Sequence, residues 1–518
     1  MTQVDRAAAR SDNSYLAELL DMSFRSGCGL YLGAVRGGAV FAQPASGLMV
    51  LGPPRCGKTS AVVVPNVLSC AGPVVSTSTK DDVMRTTAKA RSSLGPCYLF
   101  DPSGQVPVPD GVQRIGWSPL LASGTWDGAN RIALAMVEAA RPGADRGESV
   151  HWSTNAKRLL AAAFHSGALA GMSFGKVADA VNSRDLDQIR TPLAIHKVET
   201  ALRTLEGYST SDRREMSGIW STASSVLAGY ETEAARATTK GRMIDPEAFA
   251  SGRSTLYICA ASDQQRLTGA VVAGLVNDLK TAAYTRASLG ARQAREAEER
   301  ADGRADGLAG GRAGGNLQGR TDGSPMLLAL DEVANIAPLH DLPSILSEGS
   351  SQGVVTLACF QDLSQAKSRW PADWEGYLTT CQTKLVFPGI ADVGTLDRLS
   401  RLAGQVEVPH RSTTRSPVLA TLLGRGQSRS ITVTTRTQPT LPVDAIAAGR
   451  PGQALHIDGV KPQWMPVVPW FNDTFLRSVV EFGSCRRSEI AGRQSPGRQS
   501  ELTGLGAHER ERGLGRSR

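Results

Sequence analysis

Gly52-Pro53-Pro54-Arg55-Cys56-Gly57-Lys58-Thr59 follows directly on the apolar run Leu48-Met49-Val50-Leu51. A short continuous apolar run that ends in a Gly-Pro turn predicts a strand buried on both faces. The octet satisfies G-x-x-x-x-G-K-[ST], and a helical segment comes next, which is the context that motif requires. Its glycines let backbone N–H groups close around phosphates, Lys58 brings a point charge to the β- and γ-phosphates, and Thr59 offers a hydroxyl to Mg²⁺. The candidate ATP contacts are therefore Gly52, Pro53, Pro54, Arg55, Cys56, Gly57, Lys58, Thr59 and Ser60. The competing reading, a Gly-Pro turn that happens to contain Lys-Thr, is outweighed by the flanks.

A phosphate loop needs acids beside it. Met326-Leu327-Leu328-Ala329-Leu330 is a second apolar run and ends in Asp331-Glu332. Asp331 is placed to hold the Mg²⁺ shell with Thr59, and Glu332 to polarise the attacking water, since phosphoryl transfer asks mainly for positioning and electrostatics. Taken alone, Asp331 could equally cap the following helix. A third run, Val354 to Cys359, leads to Phe360-Gln361-Asp362. Gln361, at the carboxyl end of that strand, could sense the γ-phosphate and the water, although a polar residue there is ordinarily a turn former. The catalytic candidates are thus Lys58, Glu332 and Gln361.

Further out, continuous apolar strands separated by helical stretches predict an α/β domain with a mainly parallel sheet covered on both faces. From Asp127 to Thr239 the periodicity is helical, as at Leu159, Leu160, Ala163 and Phe164, so this stretch reads as an all-helical domain inserted into the α/β domain. The expected division is an N-terminal segment over 1–46, the nucleotide-binding domain over 47–126, 240–285 and 325–483, the helical insertion over 127–239, a disordered low-complexity loop over 286–324, and a disordered basic tail over 484–518. Residues His410 to Arg436 read as a long basic loop that could track a phosphate backbone or simply connect strands.

The bulk properties set outer bounds. The chain has 518 residues, 41% of them apolar, enough for more than one core. Its net charge of +8 favours polyanionic partners. From Arg486 onward, eight arginines stand against four glutamates. The eight cysteines are scattered singly, and the histidines lack metal-ligand spacing, so neither a disulfide framework nor a zinc site is suggested. No run approaches the ~18 apolar residues that span a bilayer, and no signal peptide opens the chain. A cytoplasmic location, peripheral at the inner face of the membrane and held there only through partners, is the expectation.

The order of motifs resembles the TraG/TraD family of type IV secretion coupling proteins. The matching pieces are Gly52 to Thr59 followed by Val62-Val63-Val64-Pro65-Asn66-Val67-Leu68, then Trp117-Ser118-Pro119-Leu120, then Leu330-Asp331-Glu332-Val333-Ala334-Asn335-Ile336. Gly349 to Gly353, Phe360 to Gln365 and Thr383 to Gly389 follow. The resemblance covers Gly47 to about Trp470. It implies a RecA-like P-loop NTPase with a helical insertion, a homo-hexamer with ATP and Mg²⁺ at subunit interfaces, and single-stranded DNA, a relaxase and secretion-channel components as partners. Two departures stand out. Many members carry transmembrane helices before the phosphate loop, and many have an arginine after the glycine corresponding to Gly349, where this chain has Ser350. Arg398 and Arg401 are candidate substitutes for that arginine. A nucleotide-gated adaptor without useful turnover and an FtsK-type translocase are the alternative functions, the helical insertion arguing against the second.

Overall fold

The fold is built around the strand that precedes the phosphate loop. In this computed structural model, which describes residues 29–35, 38–43, 46–141, 148–209, 212–260, 265–305, 324–415 and 429–482, Leu48–Leu51 forms a strand with all four residues buried. Successive side chains of a strand point to opposite faces. Met49 and Leu51 join an apolar core on one side, and Leu48 and Val50 join a second core on the other. That double cover is why the run carries no polar alternation.

In chain order the strands are β1 (Tyr31–Val35), β2 (Gly38–Phe41), β3 (Leu48–Leu51), β4 (Val74–Ser78), β5 (Cys97–Phe100), β6 (Val112–Arg114), β7 (Thr255–Cys259), β8 (Met326–Leu330), β9 (Val354–Phe360), β10 (Thr383–Val386), β11 (Gln405–Arg415), β12 (Arg429–Pro439), β13 (Gln453–Asp458) and β14 (Lys461–Pro466). Ten of them form one sheet in the order β14-β13-β10-β3-β9-β8-β4-β7-β5-β6. From β10 to β6 every neighbouring pair is parallel, and only β13 and β14 run antiparallel at one edge. This is the α/β, RecA-like architecture expected. Because β3, β9, β8 and β4 are parallel neighbours, the segments that follow them converge on one edge of the sheet, where open α/β folds bind their ligands.

Between β6 and β7 the chain is helical. Seven of the helices there are α3 (Trp126–Ala140), α4 (Glu148–Leu169), α5 (Phe174–Ser183), α6 (Leu186–Ile195), α7 (Glu199–Ser209), α8 (Arg213–Leu227) and α9 (Glu233–Ala237), following α1 (Val64–Ser69) and α2 (Asp82–Ser92) earlier in the chain. The helical texture read over 127–239 matches this stretch. Phe164, Phe174 and Tyr230 meet at its centre, with the Phe174 and Tyr230 ring centroids 4.4 Å apart. Trp117, fully buried, ties the segment that leads into the insertion to the helix that follows β7. Its indole donates to the Asp278 carboxylate at 3.0 Å, and its ring lies over Gly274, where an added Cβ would come within 2.6 Å of it.

Two expectations need correction, and one segment gains an element that its sequence did not announce. Residues 286–305 are not a loop: after α10 (Pro246–Ser251), helix α11 runs from Gln265 to Ala305. Its second half is rich in Ala, Arg and Glu, which are good helix formers, and it is largely exposed, so it carries no apolar stripe to announce itself. The remainder of that supposed loop, 306–323, lies outside the described residues, as do residues 1–28 and the basic tail. The stretch His410 to Arg436 is not simply a loop either. Its described parts belong to a two-stranded antiparallel ribbon, β11 with β12, in continuous register from Gln405↔Pro439 to Arg415↔Arg429. Val406, Val408, Ile431 and Val433 supply the β-branched residues that favour strands, although all four remain exposed. Finally, the weakly patterned stretch before Gly47 contains the hairpin β1–β2, which Asn66 of α1 grips: its side chain accepts from Tyr31 N at 2.8 Å and donates to Tyr31 O at 2.9 Å.

Candidate nucleotide site at the carboxyl edge of the sheet

The loop after β3 folds tightly around its own lysine. Lys58, only 8% exposed, donates through Nζ to Gly52 O at 2.5 Å and to Pro53 O at 2.9 Å. Ser60 Oγ donates to Gly57 O at 3.2 Å, and Ala61 N to the same carbonyl at 2.9 Å, so the loop passes directly into the helical turn Thr59–Val63 that precedes α1. A side chain at Gly52 would meet Phe387 Cβ at 2.7 Å and Cys56 Sγ at 2.8 Å, which explains the glycine there. Gly57 takes φ +100°, and Arg55 takes φ +64°. The left-handed region costs a non-glycine residue roughly 1–2 kcal/mol.

Asp331 stands at the end of β8, two strands from β3, and faces that loop. Its carboxylate accepts from Thr59 Oγ1 at 2.7 Å, and its backbone is fixed to β4 through Thr77. The alternative that Asp331 caps the following helix is thereby answered: the residue before α12 (Val333–Ile336) is Glu332, and its side chain makes no capping bond. Burial pushes the Asp331 carboxyl up to about 6, against the opposing pull of the Thr59 hydrogen bond and the Lys58 charge. Glu332 is held at φ +51°, a second non-glycine residue of this site in the left-handed region. Such outliers concentrate at functional sites.

Gln361 follows β9, the strand between β3 and β8. Its neighbour Phe360 accepts Gly52 N at 3.2 Å, and its own backbone N donates to the Gln365 side chain at 3.0 Å. The sheet therefore places Lys58, Thr59, Asp331, Glu332 and Gln361 on successive strand ends of one edge. A hydroxyl and a carboxylate meeting at 2.7 Å are hard oxygen donors suited to Mg²⁺. Among the described residues no group of three or more His, Cys, Asp and Glu side chains converges, so a cation here would complete its shell with phosphate oxygens and water.

Sequence reasoning passed over Asp82, at the start of α2. Its charge adds to the upward push on Asp331, and it is anchored by Ser78 Oγ at 3.4 Å. The signal available was a second acid pair, Asp81-Asp82, at the turn from β4 into α2. The two arginines proposed as substitutes after Gly349 are already engaged. Arg398 bonds Glu375 at 3.0 Å and lies over the Trp374 ring at 4.3 Å, and Arg401 bonds Asp397 at 2.8 Å.

With this geometry in view, likenesses to known proteins can be placed. Residues 17–297 match the family described as type IV secretory system conjugative DNA transfer, and residues 325–450 match the family described as the TraM recognition site of TraD and TraG. No curated protein matches the sequence. Among solved structures, the bacterial conjugative coupling protein TrwBdeltaN70 in an unbound form is similar, with a TM-score of 0.59 and 15% identity over 88% of this chain and 91% of that one. The plasmid coupling protein TrwB in complex with ADP and Mg²⁺ is similar with a TM-score of 0.57, 15% identity, and coverage of 88% and 91%. No helix among the described residues is long and apolar enough to cross a membrane. The first match alone spans more than half of the sequence, and the chain belongs to the type IV secretory system conjugative DNA transfer family.

Proposed function

We propose that the chain is a Mg²⁺-dependent P-loop ATPase acting as the coupling protein of a conjugative channel. It would recruit DNA, in single-stranded form or bound to a relaxase, and drive it into the channel by hydrolysing ATP at the interfaces of a homo-hexamer. The observation that carries the nucleotide part is the Thr59–Asp331 contact at 2.7 Å beside the buried Lys58, which joins the phosphate loop to the acid strand across the sheet edge. Family membership supports the DNA part, and the solved TrwB complexes with ADP and Mg²⁺ and with ATP and GTP analogues support a purine nucleotide as the ligand.

In this reading Lys58 and the loop amides neutralise the phosphates, while Thr59 and Asp331 hold the cation. When bound there, Mg²⁺ would supply charge that neutralises the phosphates. Glu332 orients and polarises the attacking water, and Gln361 lies where it can sense the γ-phosphate. Membrane contact through partners would place the protein peripherally at the inner face of the cell membrane. The test is the steady-state ATPase rate with and without single-stranded and double-stranded DNA, together with mass in solution, for the wild type and Glu332→Gln. A hexamer that hydrolyses nothing, even with single-stranded DNA and relaxase present, sinks the proposal. A nucleotide-gated adaptor without turnover then becomes the better account, a reading favoured by the engagement of Arg398 and Arg401 within the same chain.

A further inference from the structure

The site as described has one unfilled role, a guanidinium for the terminal phosphate. Ser350 follows Gly349, and Arg398 and Arg401 are committed to Glu375 and Asp397. Arg114, at the carboxyl end of β6, is occupied as well: it bonds the buried Asp101 at 3.2 Å. Arg55 differs from all of them. It lies within the phosphate loop itself, it is exposed, and among the described residues its side chain has no hydrogen-bond or ion-pair partner.

Its backbone sharpens the contrast. At φ +64° the position favours glycine, which would sit there without strain. The chain instead carries a long, exposed cationic side chain within the loop that matches the phosphate-binding motif. We propose that Arg55 is a phosphate clamp acting in cis, its guanidinium closing on the terminal phosphate of the ATP held by its own loop and supplying the charge of an arginine finger. A planar guanidinium can engage phosphate oxygens through two parallel N–H donors, which an ammonium cannot. The triphosphate carries more charge than the diphosphate, so the clamp discriminates in favour of ATP. This inference rests on the ATP reading of the loop and names a role for a side chain that the motif leaves free.

The experiment measures binding of a fluorescent non-hydrolysable ATP analogue and of the matching ADP, with Mg²⁺, at low and high salt. It uses the full chain as wild type, Arg55→Gly, Arg55→Lys and Lys58→Ala, with a thermal melt of each. Arg55→Gly should weaken the ATP analogue about tenfold and ADP distinctly less, with the gap narrowing at high salt, and its melting temperature should be equal or higher because the strain is relieved. Arg55→Lys should restore part of the loss. Unchanged analogue affinity in Arg55→Gly overturns the inference alone, as does an equal loss of both nucleotides together with a lowered melting temperature, which marks a merely structural role. Wild type that binds neither nucleotide, and so does not differ from Lys58→Ala, overturns the ATP reading and the inference with it.

Discussion

The carboxyl edge of the sheet and the β11–β12 ribbon are opposite solutions to placing polar and apolar groups. At the sheet edge, charged side chains are buried and matched: Lys58 against two carbonyls, Asp331 against the Thr59 hydroxyl. On the ribbon, β-branched side chains are exposed, with Ile431 and Val433 55% and 58% accessible. Burying a charge is costly unless it is paired, and burial outweighs pairing at Asp331, so the first arrangement is constrained by the ligand it must hold rather than by stability. An isolated two-stranded ribbon buries little and is held mainly by its ladder, so single side chains there matter little to the fold. The lesson is that the stringent part of this molecule is the small polar cluster, not the conspicuous projection.

The sharpest way to break that contrast is Lys58→Ala. It should abolish detectable nucleotide binding, read by titration with a fluorescent nucleotide, while the ribbon variants described below bind normally. Next in size, Glu332→Gln should lower the hydrolysis rate by about 10²–10⁴-fold while keeping ATP bound, because in the proposed role it removes only the group that polarises the water. Normal hydrolysis in this variant would show that the water is handled by another group, and Asp82 would be the first to examine.

A third prediction concerns pH. The Asp331 carboxyl is pushed up to about 6 by burial, and in the proposed role it would have to be ionised to hold Mg²⁺. Mg²⁺-dependent nucleotide affinity should therefore fall as pH drops below about 6, and Asp331→Asn should be weak and flat across the same range. The stability sign is opposite. A carboxyl raised above its ordinary 3.8 contributes stability that is full below that value and lost as pH rises through about 6. In metal-free protein at pH 8, Asp331→Asn should thus melt at a higher temperature than wild type, which calorimetry can check. The smallest effect belongs to the ribbon: Ile431→Thr or Val433→Thr should shift unfolding free energy by no more than about 0.5 kcal/mol. A loss of several kcal/mol would mean that the ribbon is packed against something in solution.

Legibility followed local physics. The strand-loop-helix unit around Gly52 to Thr59 could be read because each of its requirements is local: a doubly buried run, glycines for the turn, then lysine and a hydroxyl. The helical insertion was readable from periodicity, and its interior at Phe164 and Phe174 fits that reading. Where solvent surrounds an element on all sides the pattern disappears. The exposed half of α11 and the ribbon strands were taken for loops because neither has a buried face to mark its period. The hairpin β1–β2 was missed because what fixes it is Asn66, 35 residues from Tyr31 in the chain.

What the sequence determined by itself was the set of chemical groups and the strands that carry them: Lys58 and Thr59 after one apolar run, Asp331 and Glu332 after another, Gln361 after a third. Their meeting was decided only by the tertiary structure. The Thr59–Asp331 hydrogen bond spans 272 positions of sequence, and it exists because β3, β9 and β8 lie side by side and parallel, so that their carboxyl ends share one edge. Hydrophobic runs specify that a strand will be buried, but its neighbours are chosen by how helices cover both faces of the sheet. That choice is collective, and it is what turned separate strand ends into one site.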